Sequence, residues 1–235
     1  MGSILDLSRY KAVFFDVGGT LLRVHPSVGG VYARHARSFG FSGSEEKLDE
    51  QFRLQWNRSG GLESLGNKSG AEAGKTFWRD LVFSVFEPFG GVRDFEKYFE
   101  HIYEVFKEKE SWRVFEDVTQ SALFDRLRER GVVLGVISNW DSRLHEILKN
   151  TELSGHFKFI LASAEIGSAK PDRKIFEEAL RRSGALPEEA CHIGDEVETD
   201  IQGAKGVGMD AILVDRKGLQ NHNDCLKVRS FMELV

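Results

Sequence analysis

The strongest constraint on the fold is a set of five short apolar runs, at 12–15, 132–137, 157–161, 190–193 and 211–214, without regular polar–apolar alternation. A strand with one wet face alternates; a strand covered on both faces does not. The runs therefore predict a parallel sheet with helices on either side. Helical stripes lie between most of them. Val118, Leu123, Phe124 and Leu127 recur at helical spacing before Gly131; Leu144, Ile147 and Leu148 form a second stripe; Ile175, Phe176, Ala179 and Leu180 form a third that stops at Gly184. Repeated β-α units of this kind predict an α/β class, a doubly wound parallel sheet.

More than a hundred residues separate the first run from the second. Phe77, Trp78, Leu81, Val82, Val85 and Phe86 make one apolar helical face there, and Phe95, Phe99, Ile102 and Phe106 make another. Such stripes predict helix packing rather than a cofactor box. The expected organisation is a core of residues 1–24 and 112–235 with a helical subdomain, 25–111, inserted into it. The stretch 57–74 is rich in Gly and Ser and predicts a mobile loop. A chain of 235 residues has room for a core and a smaller insertion.

The formal net charge is −5, and no Lys/Arg block exceeds two residues, so no nucleic-acid partner is expected. No apolar run is long enough to span a membrane, and none reads as a secretory leader. Cys191 and Cys225 form no metal-binding spacing, which fits a reducing compartment and a cytoplasmic protein. Oligomeric state is left open.

In doubly wound sheets ligands bind beyond the carboxyl ends of the strands, so the residues just past each run are the candidates. The first run delivers Asp16, Gly18, Gly19 and Thr20; the second, Ser138 and Asn139; the third, past a short loop, Lys170 and Pro171; the fourth, Gly194, Asp195 and Glu196, with Asp200 further on. Each suits phosphoryl transfer. A strand-tip carboxylate, Asp16, can attack phosphorus. Lys170 supplies positive charge, and the hydroxyls of Thr20 and Ser138 with backbone N–H groups near Gly19 and Asn139 supply donors for the transition state. Asp16 and Asp195, with one backbone carbonyl, are natural Mg²⁺ ligands. Asp200 is placed to orient Lys170 or a metal-bound water. Singly, each residue has a plainer reading: Asp16 as a turn or cap, Ser138-Asn139 as a helix N-cap, Lys170-Pro171 as a solvated turn, Asp195 and Asp200 as first-turn acids. Four polar segments in this order, each beyond a strand, favour a site.

The ordered set DVGGT, ISN, KP and GDEVETD resembles the four motifs of the haloacid dehalogenase superfamily, over nearly the whole chain. The resemblance implies a Rossmann-like core with a helical cap, and a Mg²⁺-dependent hydrolase of a small phosphorylated substrate. It implies Asp16 as nucleophile, Thr20 and Ser138 on the phosphoryl group, Lys170 as its charge partner, and Asp195 and the carbonyl of Gly18 on the metal. The stretches LLRVHPSVGGVYARHARSFG, VISNWDSRL and KPDRKIFEEAL point to one subgroup within it.

The sequence departs from the pattern at Gly18, where superfamily phosphatases usually carry a second Asp that protonates the leaving alcohol. General acid–base help of that kind contributes about 10²–10⁴ in rate. Without it, activated phosphates are the expected substrates, and phospho-Asp16 is expected to turn over slowly. His25 and Glu196 are the nearby candidates for a substitute acid, though structural roles suit both better. Two rivals follow from the same gap. A non-catalytic module would bind a phosphorylated ligand or a partner on this scaffold. A true dehalogenase would expel halide without a proton, although its chemistry needs no metal. The near-Walker stretch SGAEAGKT at 69–76 begins with Ser and follows no strand, so it reads as a loop leading to a helix start near Thr76.

Overall fold

A computed structural model describes residues 6–62, 64–65, 70–222 and 224–235. Its core is a six-stranded sheet. The strands are β1 (Ala12–Phe15), β4 (Val133–Ser138), β5 (Phe159–Ala162), β6 (Ala190–Gly194), β7 (Asp210–Val214) and β8 (Leu226–Val228). Their order is β5-β4-β1-β6-β7-β8, and every neighbouring pair is parallel. The five predicted runs are five of these strands, with edges moved by up to two residues. The sixth strand is short and has two exposed residues, so no apolar run marked it.

The unbroken runs work as expected because their side chains go alternately to two separate cores. In β1, Val13 and Phe15 join one cluster and Ala12 and Phe14 the other. Helices α6 (Leu123–Glu129) and α7 (Leu144–Asn150) cover the first face through Leu123, Phe124, Leu127, Leu144, Ile147 and Leu148. Beyond the short α8 (Ser163–Ile166), helices α9 (Arg173–Ser183) and α10 (Gly203–Gly206) cover the second through Ile175, Phe176, Ala179 and Ala204. The stripe from Val118 to Leu127 is two helices rather than one: α5 (Glu116–Gln120) ends before Ala122, whose φ of 50° breaks the path into α6.

A second, two-stranded sheet pairs β2 (Leu22–Val24) antiparallel with β3 (Trp112–Val114). Between them run α1 (Val28–Ala36), α2 (Glu45–Ser59), α3 (Ala71–Phe86) and α4 (Phe95–Val105). These helices share a cluster of their own, which includes Tyr32, Leu48, Val85, Phe86, Tyr98 and Phe99. The loop expected at 57–74 is narrower than the Gly/Ser content suggested. Residues 57–59 finish α2, α3 begins at Ala71 rather than near Thr76, and residues 63 and 66–69 lie outside the described residues. Among the described residues no helix is long and apolar enough to cross a membrane.

The central strand β1 lies between β4 and β6, and Phe15 is level with both Val136 and Ile193. Three strand tips therefore end together, and the direction of travel along the sheet reverses at β1. That crevice is where a doubly wound sheet binds ligands.

Candidate active site

Asp16 stands at the tip of β1, buried, with its backbone N–H donating to Ile193 O at 2.9 Å. Its Oδ1 accepts hydrogen bonds from Ser138 Oγ at 2.8 Å and from Lys170 Nζ at 2.7 Å. Ser138 is thus no helix cap, and Lys170, 2% exposed, is no solvated turn. Lys170 Nζ also donates to Asp200 Oδ1, which His192 Nε2 approaches at 2.9 Å, and Asp200 Oδ2 accepts from the backbone N–H of Glu196 at 3.0 Å. Asp200 sits in a π-helical turn, Val197–Gln202, that leads from β6 to α10. Asn139 fixes the lysine loop through its side chain: Nδ2 donates to Lys170 O at 2.9 Å, and Oδ1 accepts from Lys170 N at 2.7 Å. Thr20 Oγ1 donates to Asp195 Oδ1 at 3.1 Å.

Two adjacent glycines differ in what they permit. Gly19 has φ +78°, and a Cβ there would lie 2.1 Å from Asp195 Oδ2, so only glycine lets the loop pass that carboxylate. A Cβ on Gly18 would meet only the ring of Trp140, at 3.3 Å. The ring of Trp140 thus stands over the position where a second acid was missed in the sequence.

Carboxylate oxygens of Asp16, Asp195 and Asp200 all lie within 4.8 Å of one another. The electrostatics follow from that crowding. Burial, then the charges of Asp16, Asp200 and Glu196, push the Asp195 carboxyl up to about 8. Burial also raises Asp16 despite Lys170. Burial opposes ionisation of Asp200 too, but Lys170 and the His192 hydrogen bond outweigh it and hold this carboxyl below the usual range. Burial works against the Lys170 ammonium, yet Asp16 and Asp200 win and raise it. Lys170 and Asp200 form the settled ion pair. The raised carboxyls of Asp16 and Asp195 mean that ionising both leaves negative charge that nothing nearby fully offsets. An all-oxygen donor set with surplus negative charge fits a small divalent cation such as Mg²⁺.

Several supporting residues were not singled out in the sequence. Arg216 follows β7, donates to Thr20 O at 2.8 Å, pairs with Asp117 at 2.6 Å and lies 3.9 Å from the Phe115 ring, so it pins the loop after β1. The strand-tip rule applied to the fifth run would have found it. His192 was visible as a polar residue inside the apolar run at 190–193. Asp141 and Arg143, past Ser138, form a buried ion pair at 2.6 Å. Trp140 carries no mark in the sequence beyond its place beside Asn139. Of the two proposed substitute acids, His25 contacts Arg113 at 3.2 Å, and Glu196 lines the same cavity as Asp16 and accepts from Thr199 Oγ1 at 3.1 Å.

The family described as "Hydrolase: haloacid dehalogenase-like hydrolase" matches residues 10–208. Haloacid dehalogenase-like hydrolase domain-containing protein 3 of Homo sapiens is 36% identical over 211 residues, covering 87% of this chain and 81% of that protein. A phosphoserine phosphatase of Thermus thermophilus is 32% identical over 158 residues, 66% of this chain and 59% of the enzyme. Among solved structures, a HAD phosphatase from Thermococcus onnurineus superposes with a TM-score of 0.67 at 26% identity, covering 95% of each chain. A sheet wound in this order, with a match across most of its length, places the chain in the haloacid dehalogenase-like hydrolase family.

Proposed function

We propose that this chain is a Mg²⁺-dependent phosphatase of a small phosphorylated compound, acting through a phosphorylated Asp16. The observation that carries the reading is the pairing of Asp16 with Lys170 and Ser138 at a strand tip, beside an uncompensated Asp195. A carboxylate kept buried next to a fixed ammonium is poised for attack on a phosphorus that brings three more anionic oxygens. The Thermus and Thermococcus relatives, both phosphatases by name, support the same class.

In this reading Asp16, Asp195 and the carbonyl of Gly18 would hold the ion. Bound there, Mg²⁺ supplies charge neutralisation for the phosphoryl oxygens and for the attacking carboxylate. Asp16 forms the bond to phosphorus while the ester oxygen departs. Lys170 stays charged, balances the transferring group and is kept in place by Asp200 and Asn139. Ser138 and Thr20 donate hydrogen bonds, Thr20 by turning from Asp195. Water then attacks phosphorus, releasing phosphate and restoring the carboxylate. Gly18 offers no acid for the first step and no base for the second, so turnover is slow and favours activated esters. We also read residues 25–111 as a cap over this site, in a cytoplasmic protein.

A screen of phosphate esters with and without EDTA, run beside Asp16→Asn, tests the reading. Turnover that survives EDTA or the substitution overturns it. Gly18 favours one second reading, a binding module in which phospho-Asp16 forms and is not hydrolysed. Stable phosphorylation of Asp16 by acetyl phosphate without release of phosphate would select that reading. Halide release from a haloacid would select a dehalogenase instead.

A further inference from the structure

All four tryptophans of the chain, Trp56, Trp78, Trp112 and Trp140, line one cavity of about 530 Å³ that also contains Asp16, Ser138, Lys170 and Asp195. They come as two pairs. Trp56 and Trp78, from α2 and α3, stack with centroids 5.6 Å apart and planes 29° apart. Trp112 and Trp140, from β3 and the loop after β4, lie 5.4 Å apart. The indole N–H groups of Trp78 and Trp112 are spent inside the protein, on Asp141 and on Phe106 O, so these rings offer faces and edges rather than donors. Several polar side chains on the same walls are committed as well. Ser27 donates to Asp49, Thr199 to Glu196, and Arg143 to Asp141 and Tyr103 O. A polyol or an amino acid entering here would exchange water for ring carbons and lose hydrogen bonds. An aromatic ring would gain apolar burial and ring–ring contact.

A second observation points the same way. The atoms nearest the side of Gly18 belong to Trp140. At the position where an acid would protonate a leaving group, this site has an indole. Residue 18 gives a leaving group no proton, which favours groups able to depart as anions. A phenol, with pKa of about 10, can do so far more readily than an alkanol, whose pKa is close to the value of about 15.7 for water.

We propose that the site takes phosphate monoesters of aromatic alcohols, with the ring among the four tryptophans and the phosphate on Asp16, an inference that rests on the phosphatase reading above. Asp16 Oδ bonds to phosphorus, the P–O bond to the ring breaks, and the phenolate leaves with the electron pair and takes its proton from solvent. Water then displaces Asp16 and gives its proton to solvent, so ester and water become phenol and phosphate.

The test has two arms on the whole chain with Mg²⁺. In the binding arm, phenylphosphonate and methylphosphonate, neither of which can be hydrolysed, are titrated by calorimetry and by intrinsic fluorescence. Phenylphosphonate should bind at least about tenfold more tightly and should perturb tryptophan emission. Equal affinities overturn the proposal. Trp56→Ala should bring the ratio toward one, and the ratio in the unaltered protein decides the matter even if that variant fails to fold. In the kinetic arm, phenyl phosphate should exceed propyl phosphate in kcat/KM by about 10² or more. Acetyl phosphate, which needs neither ring nor acid, separates the two readings. If it is hydrolysed while phenyl and propyl phosphate do not differ, the aromatic pocket is wrong and the phosphatase stands. If neither acetyl nor phenyl phosphate is hydrolysed while phenylphosphonate binds selectively, the pocket stands and the phosphatase falls.

Discussion

The floor of the cavity and its walls are built on opposite terms. On the floor, Asp16, Ser138, Lys170, Asn139 and Asp200 each hold a specific partner, and most are buried. The walls are rings in contact with rings, such as Trp56 on Trp78 and Phe99 on Tyr103, where geometry is loose and no single contact decides the arrangement. A buried charge network fails when one member is removed, because the others are left unpaired. A wall of rings tolerates change and alters only what fits. On the proposed reading the floor therefore sets the reaction, and the walls set the molecule that undergoes it.

The largest expected effect is on the floor. Asp16→Asn keeps the shape of the side chain and removes the proposed nucleophile, so phosphate release should fall by at least about 10⁴ on every ester. A loss confined to some esters would mean that the attacking group lies elsewhere. Lys170→Met comes next. It should lower kcat by about 10³ by removing the charge that balances the transferring phosphoryl group. It should also cost about 3–5 kcal/mol in urea unfolding, since Asp16 and Asp200 lose their shared counter-charge. A stable but slow variant would show that the lysine serves chemistry alone.

Gly18→Asp lies on the border between the two regions and should have a smaller effect, of either sign. The backbone at Gly18 is free of the positive φ that constrains Gly19, so the obstacle is the ring of Trp140 at 3.3 Å. Alone, the substitution should speed alkyl-phosphate hydrolysis weakly or slow it. Combined with Trp140→Ala it should gain up to about 10². If the single variant gains as much as the double, Trp140 does not guard that position.

The floor was readable in the sequence because each of its members follows a strand, and strands covered on both faces announce themselves as apolar runs. Asp16, Ser138, Lys170, Asp195 and Asp200 could be collected by that rule without coordinates. The walls were not readable. Trp78 and Phe99 lie on helical stripes whose spacing says only that a face is covered, and both pack the inserted helices while also lining the cavity. Whether such a ring meets its neighbour or a ligand depends on how α2, α3 and α4 are set over the sheet, which no local pattern specifies. Trp140 shows the limit most clearly. Gly18 was legible as a missing acid, but the indole across from it lies more than a hundred residues away in the chain.

The smallest effect tests how far the two regions are separate. Asp141, fully buried beyond β4, accepts a hydrogen bond from Trp78 Nε1 in α3, and its partner Arg143 lies 3.9 Å from the Tyr103 ring and donates to Tyr103 O at 3.3 Å in α4. This pair is a latch from the sheet into the inserted helices. Trp78→Phe removes one bond to a carboxylate but leaves Asp141 paired with Arg143, so no charge is stranded, and the cost should be near the low end of about 1.5–3 kcal/mol. Because the lost bond joins the regions, the loss should appear locally. Native-state hydrogen exchange should speed up by about tenfold in α3 and α4 and stay unchanged in β1, β4 and β6. An equal rise in the central strands would mean that sheet and inserted helices open as one cooperative unit, and that walls and floor cannot be altered independently.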